Sequence, residues 1–461
     1  MLVLSVIWFG DDASQGANQI ALLIAAGLAA WIGLRHGQQW ADIEQGIING
    51  IANAMIAVLI LFVVGALIGS WMLSGTVQSL IYYGLWLISA DWFYAAACFI
   101  SAVAALSIGS SWTVAGTLGI AFMGMAAAMQ LNPALTAGAV ISGAYFGDKL
   151  SPLSDTANLA AAVTQTPLFE HIRQSLWTSI PAFLIALIIY LMLGGQSEFD
   201  ALQSMQETRA GLREHYHIGL HLLLPVLVVG ILAWRRVPAL ITLVAGTASA
   251  ALLAVLFQQD GLVRFVARDG LDMVQTSVLA VWIVLYDGYT ASTGNDALDS
   301  LLTRGGMISM LITIWLIICA MTFGAVMEQT GLLQRIMRAL LRSVETTVGL
   351  VMTTVFTAIG SNFVTADQYI SIVLPGRMFR LEYAEKGLDS SNLSRALGDS
   401  AIVTSPLIPW NSCGAYMAVT LGVSTWAYAP YAFFNLLGPV MCIAFVATHF
   451  RIVPLATPQE S

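Results

Sequence analysis

The segment GDKLSPLSDTANLA, residues 147–160, gathers ionisable and oxygen-bearing side chains between two apolar runs, ALTAGAVISGAYF (134–146) and LAAAVTQTPLF (159–169). Charged groups in the middle of an apolar span cost several kcal/mol unless paired or hydrated, so they default to a functional reading. Pro152 breaks the helix there and frees backbone carbonyls. Those carbonyls, with Asp148, Ser151, Asp155, Thr156 and Asn158, form an oxygen-rich set suited to a hard cation such as Na+ or to a proton. Ser154 and Asp155 also stand where a new helix would begin, which gives them a capping role. Lys149, between two aspartates, reads either as charge compensation for one of them or as part of the ion site.

A second cluster combines GSNFVTADQYISIVLPG (360–376) with GDSAIVTSPLIPWNSCG (398–414). It supplies Asp367, Asp399, Thr404, Ser405 and Asn411, together with carbonyls freed by Pro406 and Pro409. Asp399 has two readings, one inside this cluster and one facing a loop that holds Arg395. Ser110, Ser111 and Asn362 are expected at the tips of two hairpins.

These clusters need a membrane to position them. The chain has 461 residues, 58% of them hydrophobic and 10% charged, with a mean hydropathy of +0.80. Soluble domains carry roughly 25% charged residues, so a water-facing surface cannot be built from this composition. The same numbers exclude a disordered chain, and the long continuous apolar runs exclude a transmembrane barrel. No basic cluster suggests nucleic acid. Cys98, Cys319, Cys413 and Cys442 have no paired spacing, so neither disulfides nor a transition-metal thiolate site is expected. The cluster of His215, His217 and His221 reads as ordinary interfacial histidine. Trp and Tyr at 82–94 and 426–431 read as interfacial anchors.

Clear spans lie at 17–34, 53–73, 176–194, 218–234, 238–257, 307–328 and 426–449. Residues 1–9 form an apolar stub too short to span, and 276–286 reads as interfacial. The regions 93–164 and 346–423 are apolar but repeatedly interrupted, which a membrane tolerates only where the chain is buried in protein or lines a cavity. They also match each other. IGS at 108–110 recurs at 359–361, Gly147-Asp148 at Gly398-Asp399, Ser151-Pro152 at Ser405-Pro406, and SGTVQSL (74–80) at TGLLQRI (330–336). The second arm carries Arg335, Arg338 and Arg342, whereas its counterpart at 74–86 has no charge. Five crossings between the arms make the repeats inverted, and that topology puts twelve basic residues inside and five outside.

The expected fold is therefore an all-α polytopic membrane protein of two inverted repeats, each with a re-entrant helical hairpin and a broken transmembrane helix. The first repeat covers 17–194, with its hairpin about 93–128 and its broken helix about 133–164. An external loop and linking span fill 195–237. The second repeat covers 238–449, with its hairpin about 346–376 and its broken helix about 396–423. Paired broken helices of this kind mark a secondary transporter with its site near the midplane. An enzyme is not expected, since HExxH and GxSxG are both lacking.

The strings GAYFGDKLSPLSDTANLAAAV, SGTVQSLIYYGL, TADQYISIVLPGRMF and TSPLIPWNSCGAYM closely resemble the NhaC-type Na+/H+ antiporters, over about residues 17 to 449. The resemblance implies Na+ and H+ as transported ions, no cofactor, and a multi-pass protein of the inner (cytoplasmic) membrane. It also implies a homodimer whose transport domain moves as an elevator. Ala157 stands where family members commonly have Thr, and some relatives exchange small carboxylates. Two readings of function follow: Na+/H+ antiport, or ion-coupled exchange of a small organic solute such as a carboxylate or amino acid. Antiport needs one group that proton and Na+ share, and Asp155 leads, with Asp148 second and Asp367 the candidate from the other repeat.

Overall fold

The computed structural model describes residues 5, 8–9, 15–194, 199–268, 270–294, 296–335 and 346–455. Most of the 1–9 stub, and Arg338 and Arg342 of the second arm, lie outside the described residues. Within them the secondary structure is helical, as lipid requires of a chain with no closed barrel. Among the described residues, eight helices are long and apolar enough to cross a membrane, or up to ten if two bent pairs each count as one span.

Helices α1 (Ala17–Arg35) and α2 (Trp40–Leu73) open the fold. At 1.5 Å per residue α2 is about 50 Å long, well beyond the roughly 30 Å hydrocarbon core, so it tilts or projects into the headgroups. It is followed by α3 (Thr76–Leu87), α4 (Phe93–Ile108) and α5 (Ser111–Ala128). Next come α6 (Pro133–Leu150), α7 (Asp155–Thr164) and α8 (Leu168–Gly194). Then come α9 (Phe199–His215), α10 (Leu224–Trp234), α11 (Ala239–Phe257), α12 (Gln259–Val266), α13 (Met273–Tyr286) and α14 (Asp296–Leu302). The run read as interfacial forms α13, which at 14 residues is short of a span. The second half contains α15 (Leu311–Gln329), α16 (Thr347–Thr365), α17 (Gln368–Glu385), α18 (Ser390–Leu397), α19 (Ser412–Leu421) and α20 (Phe433–Ala447).

Helix α2 packs along α11, α13 and α15, and α1 packs on α15. Glycines make these contacts close. A Cβ at Gly65 would stand 2.4 Å from the Gly306 carbonyl oxygen, and one at Gly69 would stand 2.5 Å from that of Val284. The other body is built from α4 to α8 and α16 to α20. There α4 and α6 pack tightly, with the Cys98 carbonyl oxygen only 1.9 Å from where a Gly143 Cβ would be.

Two tight helical turns and two broken helices interrupt that body. Gly109, at φ 76°, turns α4 into α5, and Ser110 caps α5 by accepting the Thr113 N–H at 3.2 Å. Helix α6 ends at Leu150 and α7 begins at Asp155, capped by Ser154, whose hydroxyl accepts the Ala157 N–H. In the second half, Ala366 at φ 55° and the Asp367 cap turn α16 into α17. Asn362, expected at this tip, instead lies inside α16, one turn earlier. The helix runs on because a left-handed residue is what ends it, and Ala366 is the first to adopt that conformation. Helix α18 continues through a wide π turn at Gly398–Ile402, breaks at Ser405–Leu407, and resumes as α19.

Candidate functional site

The first tip sits on the first break. A Cβ on Gly109 would fall 2.6 Å from the Leu153 carbonyl carbon, so only glycine permits the approach. This contact brings Ser111 to Asp148. The Ser111 N–H and hydroxyl both donate to Asp148 Oδ2, at 3.2 and 2.7 Å. Asp148 is buried, and its other oxygen, Oδ1, has no hydrogen-bond partner. The Ser154 hydroxyl lies beside this carboxylate. Tyr145, one turn back on α6, is fully buried and its hydroxyl is also unpartnered. Ser405 and Cys413 of the second break lie beside that hydroxyl. A buried carboxylate oxygen left unpaired is costly, and a proton or a small cation satisfies it directly.

Lys149 is not the partner of Asp148 or Asp155, as the charge-compensation reading supposed. Adjacent residues on a helix point about 100° apart, so Asp148 faces the tip while Lys149 faces α8 and α18. The Lys149 ammonium forms an ion pair with Asp399, and both side chains are fully buried. Ser179 accepts from Lys149 at 2.8 Å, and Thr178 donates to Asp399 at 3.0 Å. Asp399 therefore does not face a loop. Arg395 is itself buried and donates to the Arg451 carbonyl at 3.0 Å.

Asp155 occupies the first turn of α7 and is exposed. Its Oδ2 accepts the Tyr369 hydroxyl at 2.5 Å and its Oδ1 accepts the Thr156 N–H at 2.8 Å. The first break is thus tied to the second hairpin, since Tyr369 is on α17. Asn158 is also exposed, and its amide donates to the Pro152 and Ser154 carbonyls at 3.1 and 2.6 Å. Ser151 donates to the Leu106 carbonyl at 2.8 Å, and Thr156 shares a hydrogen with Ser154 at 3.0 Å. Several oxygens expected to ligate an ion are therefore holding the break together.

The second break is closed in the same way, and more completely. Asn362 donates to the Ala401 carbonyl at 2.8 Å and to Thr404 at 3.1 Å. Asn411 caps α19 and donates to the Asn362 side-chain oxygen at 3.2 Å. Ser405 donates to the Ile402 carbonyl at 2.9 Å. The Pro406 carbonyl is taken by the Tyr428 hydroxyl at 2.5 Å, so Tyr428 braces the break and is no interfacial anchor. Asp367 accepts the Ile370 N–H at 2.9 Å as the α17 cap. Across the halves, Trp112 of the first hairpin stacks on Tyr416 of α19 at 4.1 Å.

The four cysteines are buried and free. Among the described residues no group of three or more His, Cys, Asp or Glu could hold a metal, and His217 and His221 simply stack near Phe257. Sequence reading passed over Tyr145 and Tyr369, and also over Thr178 and Ser179. The last two share a face with His171 and Ser175 at helical spacing, which was the available signal.

Known proteins resemble this chain over most of its length. Residues 143–450 match the model of the Na+/H+ antiporter family. The Na+/H+ antiporter NhaC of Alkalihalophilus pseudofirmus is 38% identical, over 92% of this chain and 88% of that protein. The arginine/ornithine antiporter ArcD of Halobacterium salinarum is 35% identical, over 92% and 86%. The malate-2H+/Na+-lactate antiporter of Bacillus subtilis is 33% identical, over 94% and 88%. A chain with this family match and eight to ten candidate membrane spans among its described residues is a multi-pass transporter and not an enzyme, and it belongs to the Na+/H+ antiporter family, in its NhaC-type branch.

Proposed function

We propose that this protein exchanges Na+ for H+ across the cell's inner membrane, with Asp148 as the group that both ions share. The observation that carries the reading is the buried, unpartnered Oδ1 of Asp148, held where the first hairpin meets the first break. Proton and Na+ then compete for one carboxylate, so loading one expels the other. Asp155, the leading candidate from sequence, is exposed and engaged by Tyr369, which suits a residue at the mouth of the site. Na+ is favoured over an organic anion because such an anion needs a fixed positive group. Lys149 is already neutralised by Asp399.

The two halves are read as inverted repeats. The body holding both hairpins and both breaks would move as an elevator against α1, α2, α11, α13 and α15, which would also form a homodimer. The basic residues Arg35, Arg173, Arg235 and Arg236 favour a cytoplasmic end for their helices. The test is Na+-driven proton movement in proteoliposomes containing the purified full chain. Asp148→Asn should abolish it while the protein stays folded, and Asp148→Glu should retain it with altered Na+ affinity. Exchange by Asp148→Asn at the wild-type rate would refute the assignment. Uptake driven by a carboxylate or amino acid, with none driven by Na+ and H+ alone, would favour the organic-solute reading.

A further inference from the structure

A row of buried polar side chains runs between α8 and α18 and ends at the Lys149–Asp399 pair. On α8 it comprises His171, Gln174, Ser175, Thr178 and Ser179, all buried at helical spacing. On α18 it comprises Ser391, Ser394 and Arg395, followed by Asp399 in the π turn. An apolar seam would pack two membrane helices as well, so a polar one needs a reason. His171 Nδ1 shares a hydrogen with Ser394 at 2.5 Å.

Many of the remaining polar atoms have no partner. His171 Nε2, Ser175 Oγ, Ser391 Oγ, Arg395 Nε, Gln174 Oε1 and Asp399 Oδ2 are all buried without a hydrogen bond. The Cys442 thiol lies beside Asp399, but a thiol is a weak donor. Six orphaned polar atoms along one seam are far from the usual near-complete pairing of buried groups. Gly398 keeps the seam open at its centre. A Cβ there would meet Lys149 Cε at 3.1 Å, His171 Cε1 at 3.5 Å and Ser175 Oγ at 3.7 Å. At the other end Gln174 donates to Glu170 at 2.7 Å, and Glu170, partly exposed, pairs with the exposed Arg173 at 3.5 Å. From Glu170 to Ser179 the seam is about 14 Å long, at 1.5 Å per residue.

We infer that this seam is a buried water site, a file of ordered water that carries protons between the Glu170–Arg173 end and the Lys149–Asp399 pair. Buried waters sit where several otherwise unsatisfied polar atoms converge, as they do here. An arriving hydronium loses one O–H bond and becomes neutral water, the proton forms an O–H bond on Asp399 Oδ2, and Lys149 keeps its charge. The groups facing this path are Lys149 from α6, Glu170, His171 and Arg173 from α8, Arg395 and Asp399 from α18, and Cys442 from α20. The path ends at Lys149, the residue next to Asp148 on α6, so the file brings protons from the α8 side to the neighbour of the carboxylate that Na+ and H+ share. The inference rests on the antiport reading above.

The experiment plugs the seam with Ser175→Val in the full chain reconstituted into proteoliposomes. Two rates are read: Na+-driven proton movement, and Na+/Na+ isotope exchange, which moves no proton. Ser175→Val should slow proton-coupled exchange about tenfold, equivalent to about 1.4 kcal/mol on the barrier, while leaving Na+/Na+ exchange within the scatter of wild type. Ser175→Thr, which keeps the hydroxyl, should restore the coupled rate. Gln174→Leu should give the same split as Ser175→Val and serves if that variant does not fold. Equal loss of both rates would overturn the inference by making the seam structural, and so would no change in either. Absence of Na+/H+ exchange in the wild type would instead sink the antiport reading itself.

Discussion

Replacing Lys149 by methionine leaves Asp399 fully buried without its ion-pair partner. Breaking a buried pair from one side typically costs about 3–5 kcal/mol, because the remaining charge has lost its compensation. Thr178 still donates to Asp399, but one neutral hydroxyl offsets only a small part of that. Unfolding entropies near 2.1 cal/mol/K per residue give about 1 kcal/mol/K for 461 residues, so the melting temperature should fall by roughly 3–5 °C. Asp399→Leu alone should cost a similar amount. Lys149→Met combined with Asp399→Leu removes both charges and should recover most of the loss, since apolar replacements of buried pairs are often neutral. Thermal melts of detergent-purified protein, followed by loss of monodisperse material, provide the assay. Losses in the double variant equal to the sum of the two singles would refute the reasoning, because independent sites add and coupled ones do not.

Three further outcomes follow from the geometry. Asn411→Ala removes both the α19 cap and the link to Asn362, and should destabilise by about 1–3 kcal/mol in the same melts. Tyr369→Phe frees Asp155 Oδ2 without moving Asp148, so it should shift the apparent Na+ affinity by less than about tenfold and leave coupling intact; loss of coupling would return Asp155 to the shared site. Cysteines placed at Leu87 and Arg335, both exposed, should label from opposite sides of the membrane, and labelling from one side would exclude inverted repeats.

Much of this was legible in the sequence. The interrupted regions, Pro152 and the Ser154–Asp155 cap appear where the residue pattern puts them, because helix breakers and caps act locally. Asp148 was legible as a buried acid for the same reason. The partner of Lys149 was not. Asp399 is 250 residues away, and nothing local distinguishes it from the two aspartates that flank the lysine. Asn362 was misplaced because hairpin ends depend on which residue accepts a left-handed backbone, and alanine gives no such signal. The exposure of Asp155 and Asn158 depends on how α7 lies against α17, which periodicity over ten residues does not specify. The seam on α8 is visible as HIRQSLWTS, but the apolar pattern starts the span at 176, which leaves His171 to Ser175 outside it and separates them from Thr178 and Ser179.

The central claim, one carboxylate shared by Na+ and H+, is tested most directly by calorimetric Na+ titration of the purified protein in buffers of different ionisation enthalpy. Proton release accompanying Na+ binding is read from the buffer dependence. Wild-type protein should release a proton as Na+ binds, with apparent Na+ affinity rising about tenfold per pH unit while the shared group is protonated and levelling off above that range. Asp148→Asn should show neither the release nor the pH dependence. Na+ binding without proton release in the wild type, or unchanged release in Asp148→Asn, would contradict the account.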